Sequence, residues 1–177
     1  MNHPPATVFS PVAWHMPDGR MLTLRHIRVD DTTILTAFVR GLSFGTRYFR
    51  YGHGDHAFSA DEILRICTPD PRECVHLRVV ETSGAAETIV ASARIIFEAA
   101  GAACEVAITV ADDWQLRGVG KRLINALFEQ AKARGHIEMH GRILGTNRRM
   151  IEFMRRCGFT IGNSAEGPSL KVARISL

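Results

Sequence analysis

Cysteine is sparse in this chain and never set at ligand spacing. The four cysteines, Cys67, Cys74, Cys104 and Cys157, are scattered, with no C-x-x-C among them. The beginning of the sequence has two prolines and no basic leader ahead of an apolar segment. Both absences point to a reducing cytoplasm and free thiols. Cys104 and Cys157 stand among apolar residues and are expected to be buried small hydrophobes, not nucleophiles. No apolar run approaches the ~20 residues of a membrane-spanning helix, so no membrane partner is expected. Repeats, low-complexity tracts and long linkers are also missing, and nothing divides the 177 residues into two domains. His53 and His56 form an H-x-x-H without a third ligand, and His136 and His140 fall on a predicted strand. No metal site is therefore expected. The net charge is +4 and the pI about 9.2. That balance suits a polyanionic ligand; the basic residues are spread and not interleaved with aromatics, which argues against nucleic acid.

What is present is concentrated between Cys104 and Gly135. Val106, Ile108 and Val110 alternate with Glu105, Ala107 and Thr109, the period of a strand with two different faces. Asp112 and Asp113 end it. From Gly118 onward Val119, Leu123, Leu127 and Ala131 recur every four residues, with Ile124 and Phe128 beside them, which predicts an amphipathic helix stopped by Gly135. Between strand and helix lies Gln115-Leu116-Arg117-Gly118-Val119-Gly120. A glycine in a first helical turn costs about 1 kcal/mol relative to alanine. Glycines there let a ligand reach the free N–H groups, which with the helix dipole attract phosphate oxygens. Arg117, Lys121 and Arg122 add positive charge to the same turn.

The dinucleotide fingerprint and the Walker loop both demand residues this turn does not have. The pattern Gln/Arg-x-x-Gly-x-Gly/Ala after a strand resembles instead the acyl-CoA pyrophosphate loop of the GNAT superfamily of N-acetyltransferases. That resemblance implies cofactor contacts from Gln115, Leu116, Arg117, Gly118, Val119, Gly120 and Lys121, with acetyl-CoA as cosubstrate.

The rest of the chain is consistent with this. Residues 1–19 read as an N-terminal arm and 20–177 as one domain. Met21 to Val29 alternates as a strand; Asp30 and Asp31 are expected to cap a helix over about 32–41, and Ser59 a short helix over 60–67. Strands are expected at 74–81, 88–98, 104–110, 137–144, 159–162 and 170–177. A further helix is opened by Asn147 and stopped by Gly158. The order β-α-α-β-β-β-α-β-α-β-β matches a GNAT domain. The expected class is α/β (α+β), a mixed central sheet of about seven strands with helices on both faces. Asn147 through Gly158-Phe159 resembles the family's next motif, which implies that Asn147 bonds the pantetheine arm; capping its own helix is an equally good use.

A narrower resemblance lies in Leu42-Ser43-Phe44-Gly45-Thr46-Arg47-Tyr48-Phe49-Arg50-Tyr51 and in the segment from Cys104-Glu105 to Asp112-Asp113-Trp114-Gln115. Both look like segments of the bacterial Pat-type protein lysine acetyltransferases. This implies Glu105 as catalytic base and a protein lysine as acceptor. The family also implies that the backbone near Ile108 and Val110 holds the acyl oxygen and pairs with pantetheine. Many GNAT enzymes place a proton-donating tyrosine where this chain has Met154, and a thioether donates no proton. Tyr48 and Tyr51, the only tyrosines, are expected to pack as aromatics. Arg47 and Arg50 could line an acceptor or phosphate path, with ion pairs to an Asp or Glu the slightly preferred reading. A small-amine acetyltransferase and a non-catalytic acyl-CoA-sensing domain are the alternatives the sequence leaves open. Monomer and homodimer are open as well.

Overall fold

Residues 9–52, 54, 55, 57–98 and 102–177 are described by the computed structural model; His53 and His56 lie outside them. Part of the expected arm is a strand. β1 (Val12–His15) pairs antiparallel with β2 (Met21–His26). The hairpin closes through Met16, whose N–H reaches the Arg20 carbonyl and whose own carbonyl accepts from Gly19. Gly19 sits at φ 83°, a left-handed turn position suited to glycine. Four residues between prolines carry too little alternation to be read as a strand, and β1 raises the sheet from about seven strands to eight.

After β2 come α1 (Thr32–Gly41), α2 (Phe44–Tyr51) and α3 (Ala60–Cys67). The last is capped reciprocally: Ser59 Oγ accepts from the Glu62 N–H, and the Glu62 carboxylate accepts from the Ser59 N–H at 2.8 Å. Asp31 does not cap α1 as expected. It is 3% exposed and accepts two hydrogen bonds from the 2% exposed Arg25, at 2.8 and 2.7 Å. A bidentate partner outcompetes a helix N-terminus for one carboxylate.

β3 (Cys74–Ser83), β4 (Ala86–Phe97) and β5 (Ala103–Val110) form an antiparallel meander. Then follow α4 (Val119–Lys132), β6 (Glu138–Leu144), α5 (Arg148–Arg156), β7 (Thr160–Ser164) and β8 (Gly167–Ser176). The sheet order is β1-β2-β3-β4-β5-β6-β8-β7. It is antiparallel except between β5 and β6, which run parallel with α4 as their crossover.

The two faces differ. On one, Leu77, Val79, Ala93, Ile95, Val106 and Ile108 pack against Leu123 and Leu127 of α4 in the larger core. On the other, Leu35, Phe38 and Val39 of α1 and Ile63 of α3 cover Val80 and Ile89 in a smaller core. Helices on both faces are thus present. The second face also carries charge under its helices: Arg25 and Arg78 are each 2% exposed and His76 5%.

Candidate functional site

The parallel junction is short. β5 and β6 pair at Ala103 with Glu138, Cys104 with Met139 and Glu105 with His140, and no further. β6 continues along β8 to Leu144, while β5 continues along β4 to Val110. The strands therefore part just past Glu105. Gly141 marks the vertex: a Cβ there would come within 3.1 Å of the Val106 carbonyl oxygen.

Strand geometry decides which backbone groups face the gap. The Ala111 N–H donates to the Val90 carbonyl at 2.9 Å, so alternate residues at 105, 107 and 109 bond to β4. The N–H and C=O groups of Val106, Ile108 and Val110 point the other way, into the gap. Ile108 and Val110 thus present the backbone edge that an extended ligand would pair with.

The gap leads to the start of α4. Leu116 stands at φ 62° and is 94% exposed, and Gly118 stands at φ 83°. Gly118 is the N-cap of α4 and makes no side-chain cap bond. The first intrahelical bond runs from the Arg122 N–H to the Gly118 carbonyl at 3.2 Å, which leaves the N–H groups of Val119, Gly120 and Lys121 without helical partners. The two glycines serve different ends. Gly118 permits a left-handed turn, and a Cβ there would meet nothing within 4 Å. At Gly120 a Cβ would come to 3.3 Å from the Phe153 ring, so this glycine admits α5 close to α4. The expectation that both simply clear space for a ligand is corrected to that extent.

Cations gather around the turn. Arg117 lies 3.3 Å from Asp18, and both Arg20 and Arg117 stack over Trp114, at 4.1 and 5.6 Å from its centroid. Gln115 Nε2–H donates to the Val110 carbonyl at 3.2 Å, tying the loop to the strand end. Asp112 ties it to α2: its carboxylate accepts from the Ser43 N–H, the Ser43 hydroxyl and the Thr46 hydroxyl, each at 2.8 Å. Burial pushes the Asp112 carboxyl up, but these bonds outweigh it and hold it below the usual range. This clasp explains why Ser43 and Thr46 occur together with Asp112.

Glu105 sits on the rim of the gap, held by a residue the sequence did not single out. Arg142 of β6 donates from Nε to Oε1 at 3.1 Å and from Nη2 to Oε2 at 3.0 Å, and also reaches Glu166 at 3.2 Å. The Glu105 carboxylate raises the Arg142 guanidinium above its usual range, with Glu166 adding to it. Alternation along β6 puts His140 and Arg142 on one parity, the only sequence signal for this pairing.

Asn147 caps α5: its Oδ1 accepts from the Met150 N–H at 3.1 Å. That leaves its amide N–H₂ for another acceptor. Met154 is 2% exposed and belongs to the larger core, so nothing at that position delivers a proton. Tyr51 packs edge-on to Phe58 at 5.0 Å, and Tyr48 to Phe49 at 5.7 Å. Arg47 finds carbonyls where a carboxylate was expected, donating to Gly54 and Leu42, each at 2.6 Å. The four thiols are free, and burial pushes Cys104 up to about 12, which removes it as a nucleophile. Among the described residues no group of His, Cys, Asp or Glu could hold a metal ion. His136 instead stacks on Phe97, and His140 lies 3.5 Å from Glu98.

The family comparison decides what fold a parted β5–β6 pair facing a bare helix start belongs to. Residues 38–159 match the model of the Acetyltransferase (GNAT) family. The chain belongs to this family. GNAT domains transfer acetyl from acetyl-CoA to an amine, and the fold described here is theirs. The GNAT domain of Pat from Streptomyces lividans (S. lividans) superimposes with a TM-score of 0.83 at 25% identity, covering 94% of this chain and 97% of that one. Over 84 residues the chain is 39% identical to acetyltransferase Pat of Mycolicibacterium smegmatis, a match that spans 47% of this chain and 25% of that protein. The matched stretch is about a quarter of that relative's length. Acetyltransferase PA5475 of Pseudomonas aeruginosa is 27% identical over 165 residues, 92% of this chain and 87% of the relative. Among the described residues no helix of this GNAT domain is long and apolar enough to cross a membrane.

Proposed function

We propose that this GNAT domain acetylates a lysine side chain of a protein by direct attack, with Glu105 as general base. The observation that carries this reading is the position of Glu105 at the last paired residue before β5 and β6 separate. A base is needed there because a lysine ammonium with a pKa of about 10.4 is neutral in roughly one molecule in two thousand at pH 7. The neutral nitrogen attacks the thioester carbonyl, the carbon–sulfur bond breaks, and coenzyme A departs as a thiolate. The amine proton passes to Glu105. The gap-facing backbone of Ile108 and Val110 holds the acyl oxygen and the pantetheine amides. Asn147 supplies its free amide N–H₂ to the same arm. The pyrophosphate lies on the N–H groups of Val119, Gly120 and Lys121, with Gln115 and Leu116 shaping the loop and Arg117 adding charge.

Arg142 has a defined part in this reading. A bidentate guanidinium fixes the orientation of the Glu105 carboxylate. Glu166, 3.2 Å from the same guanidinium, offers a second partner when Glu105 takes a proton. The protein-lysine assignment draws on the likeness to the two Pat proteins. Glu105→Gln tests the base: acetyl-CoA affinity is expected to stay within about twofold while kcat falls by about 10²- to 10⁴-fold. A variant with the parental kcat would reject Glu105 as the base.

A further inference from the structure

The sheet face that carries Glu105 holds a second polar cluster that the transfer reaction does not use. Cross-strand register sets Arg78 of β3 opposite Ser92 of β4, and His76 opposite Arg94, which in turn lies opposite Ala107 of β5. Together with Arg50 and Tyr51 of α2 these residues line a cavity of about 120 Å³ beneath the helices of that face. At about 30 Å³ per water, this is room for roughly four waters or for one carboxylate or phosphate group.

The cluster is cationic, and the nearest carboxylates, Asp31 for Arg78 and Glu105 for Arg50, act on it through space without forming an ion pair. Arg25, nearby on β2, is answered by Asp31 and Glu87 at 2.7 and 2.6 Å. Among the described residues no carboxylate lies within ion-pair distance of Arg50, Arg78 or Arg94; the acids of this region are engaged by Arg25, Arg28 and Arg142. Arg78 gives Nη1–H to the Leu77 carbonyl at 3.2 Å and to the Ser92 hydroxyl. Its Nε–H, and that of Arg94, are buried donors without an acceptor. His76 has its Nδ1 3.1 Å from the Ile66 carbonyl, and its Nε2 is buried without a partner. Burial drives the Arg78 guanidinium down to about 10, and burial also lowers Arg50, with Arg94 adding to the effect. Orphaned donors and cations without an ion pair around a void of this size fit an absent anion.

We propose that this cavity binds an oxyanion, a carboxylate or phosphate, carried by the acceptor near the amine that is acetylated, with Arg78, Arg94 and Arg50 as its cations. Ala107 on the cavity wall is two residues from Glu105 on the same strand face, about 7 Å along the strand. The anion site and the base are therefore within the span of one small acceptor or of neighbouring side chains. The inference rests on reading this face as the acceptor side. His76 Nε2, left as an acceptor when Nδ1–H bonds Ile66, is suited to a donor on the same ligand, such as an N–H beside the carboxylate.

The test has two arms. With coenzyme A saturating, so that the phosphate site at α4 is filled, the protein is titrated calorimetrically with glutarate and with inorganic phosphate. At least one is expected to bind, and Arg94→Gln is expected to weaken it about tenfold or more, the loss of one charge-assisted hydrogen bond. Arg50→Gln, on α2 and not on the sheet, serves the same purpose if Arg94→Gln does not fold. In the second arm, kcat/KM is compared for acceptor pairs that differ only in the anion: L-lysine against cadaverine, and a lysine peptide with glutamate beside the lysine against its glutamine counterpart. The carboxylate-bearing member of one pair is expected to react about tenfold faster or more, and Arg94→Gln to abolish that preference with coenzyme A affinity unchanged. The first pair responding identifies a free anionic amine; the second identifies an acidic residue of a protein. Absence of anion binding, binding undiminished in the folded arginine variants, or equal reactivity within both pairs would each overturn the proposal. A wild-type protein that fails to bind coenzyme A, or acetylates nothing, would overturn the proposed function instead, and the anion titration alone would then decide the cavity.

Discussion

Replacing Gly118 by glutamine and by glutamate separates the shape of the α4 turn from its electrostatics. Gly118 stands at φ 83° and ψ −8°, and a Cβ there meets nothing within 4 Å. The Cβ of either substitution has room, and both impose the same left-handed strain of about 1–2 kcal/mol. Each melting temperature should fall by about 2–4 °C per kcal/mol in a domain of this size. The two side chains then differ by one negative charge. A carboxylate about 7 Å from the pyrophosphate, at an effective dielectric between about 20 and 80, feels about 0.6–2.4 kcal/mol from each phosphate charge. After screening by salt this leaves about 1–3 kcal/mol, or roughly 5- to 150-fold in Kd. Calorimetric titration of both variants with acetyl-CoA, at low and at moderate salt, reads this directly. Gly118→Glu should bind more weakly than Gly118→Gln by that factor, and the difference should shrink as salt rises. Equal Kd values, or a difference indifferent to salt, would mean that the pyrophosphate does not lie on this turn.

Two further predictions concern the buried charges. Asp31→Asn leaves Arg25 buried with only Glu87 to answer it, and the penalty for breaking a buried pair is about 3–5 kcal/mol. Urea denaturation should show a loss in the lower part of that range, and a loss below about 0.5 kcal/mol would contradict the burial of the pair. His76 is pushed from 6.5 down to about 3, by burial first and then by Arg78. Below 6.5 the unfolded chain therefore takes up a proton that the folded chain refuses. Stability present above that pH is lost as the pH falls, by about 2 kcal/mol between pH 7 and pH 5. In His76→Gln that share of the pH dependence should vanish, and parallel pH profiles for variant and parent would contradict it.

The site's backbone was easier to read in the sequence than its side chains. The alternation of Val106, Ile108 and Val110 and the four-residue spacing from Val119 to Ala131 specify β5 and α4, because both elements bury one face and leave the other wet. α2 was not read as a helix. None of Phe44 to Tyr51 is fully buried and the segment is short, with aromatics and arginines interleaved, so its period is weak; Ser43 capping Thr46 and the Asp112 clasp hold it. Gln130 is a polar residue of α4 that is only 4% exposed, its side chain accepting from Arg134. The cationic cavity was illegible for a different reason. Arg78 and Arg94 occupy positions on strands where polar residues usually face water, and only the register of three strands and the helices above them reveals that they are enclosed. The Glu105–Arg142 pair likewise depends on β5 lying beside β6, a non-local fact that neither segment states alone.

The proposed function requires acetyl-CoA to enter between the parted strands. A crystal structure of the protein with bound acetyl-CoA tests this most directly. It should show pyrophosphate oxygens within hydrogen-bond distance of the Val119, Gly120 and Lys121 N–H groups, pantetheine along the Ile108–Val110 edge, and the thioester beside Glu105. Acetyl-CoA bound elsewhere, or β5 and β6 paired along their whole length, would contradict it.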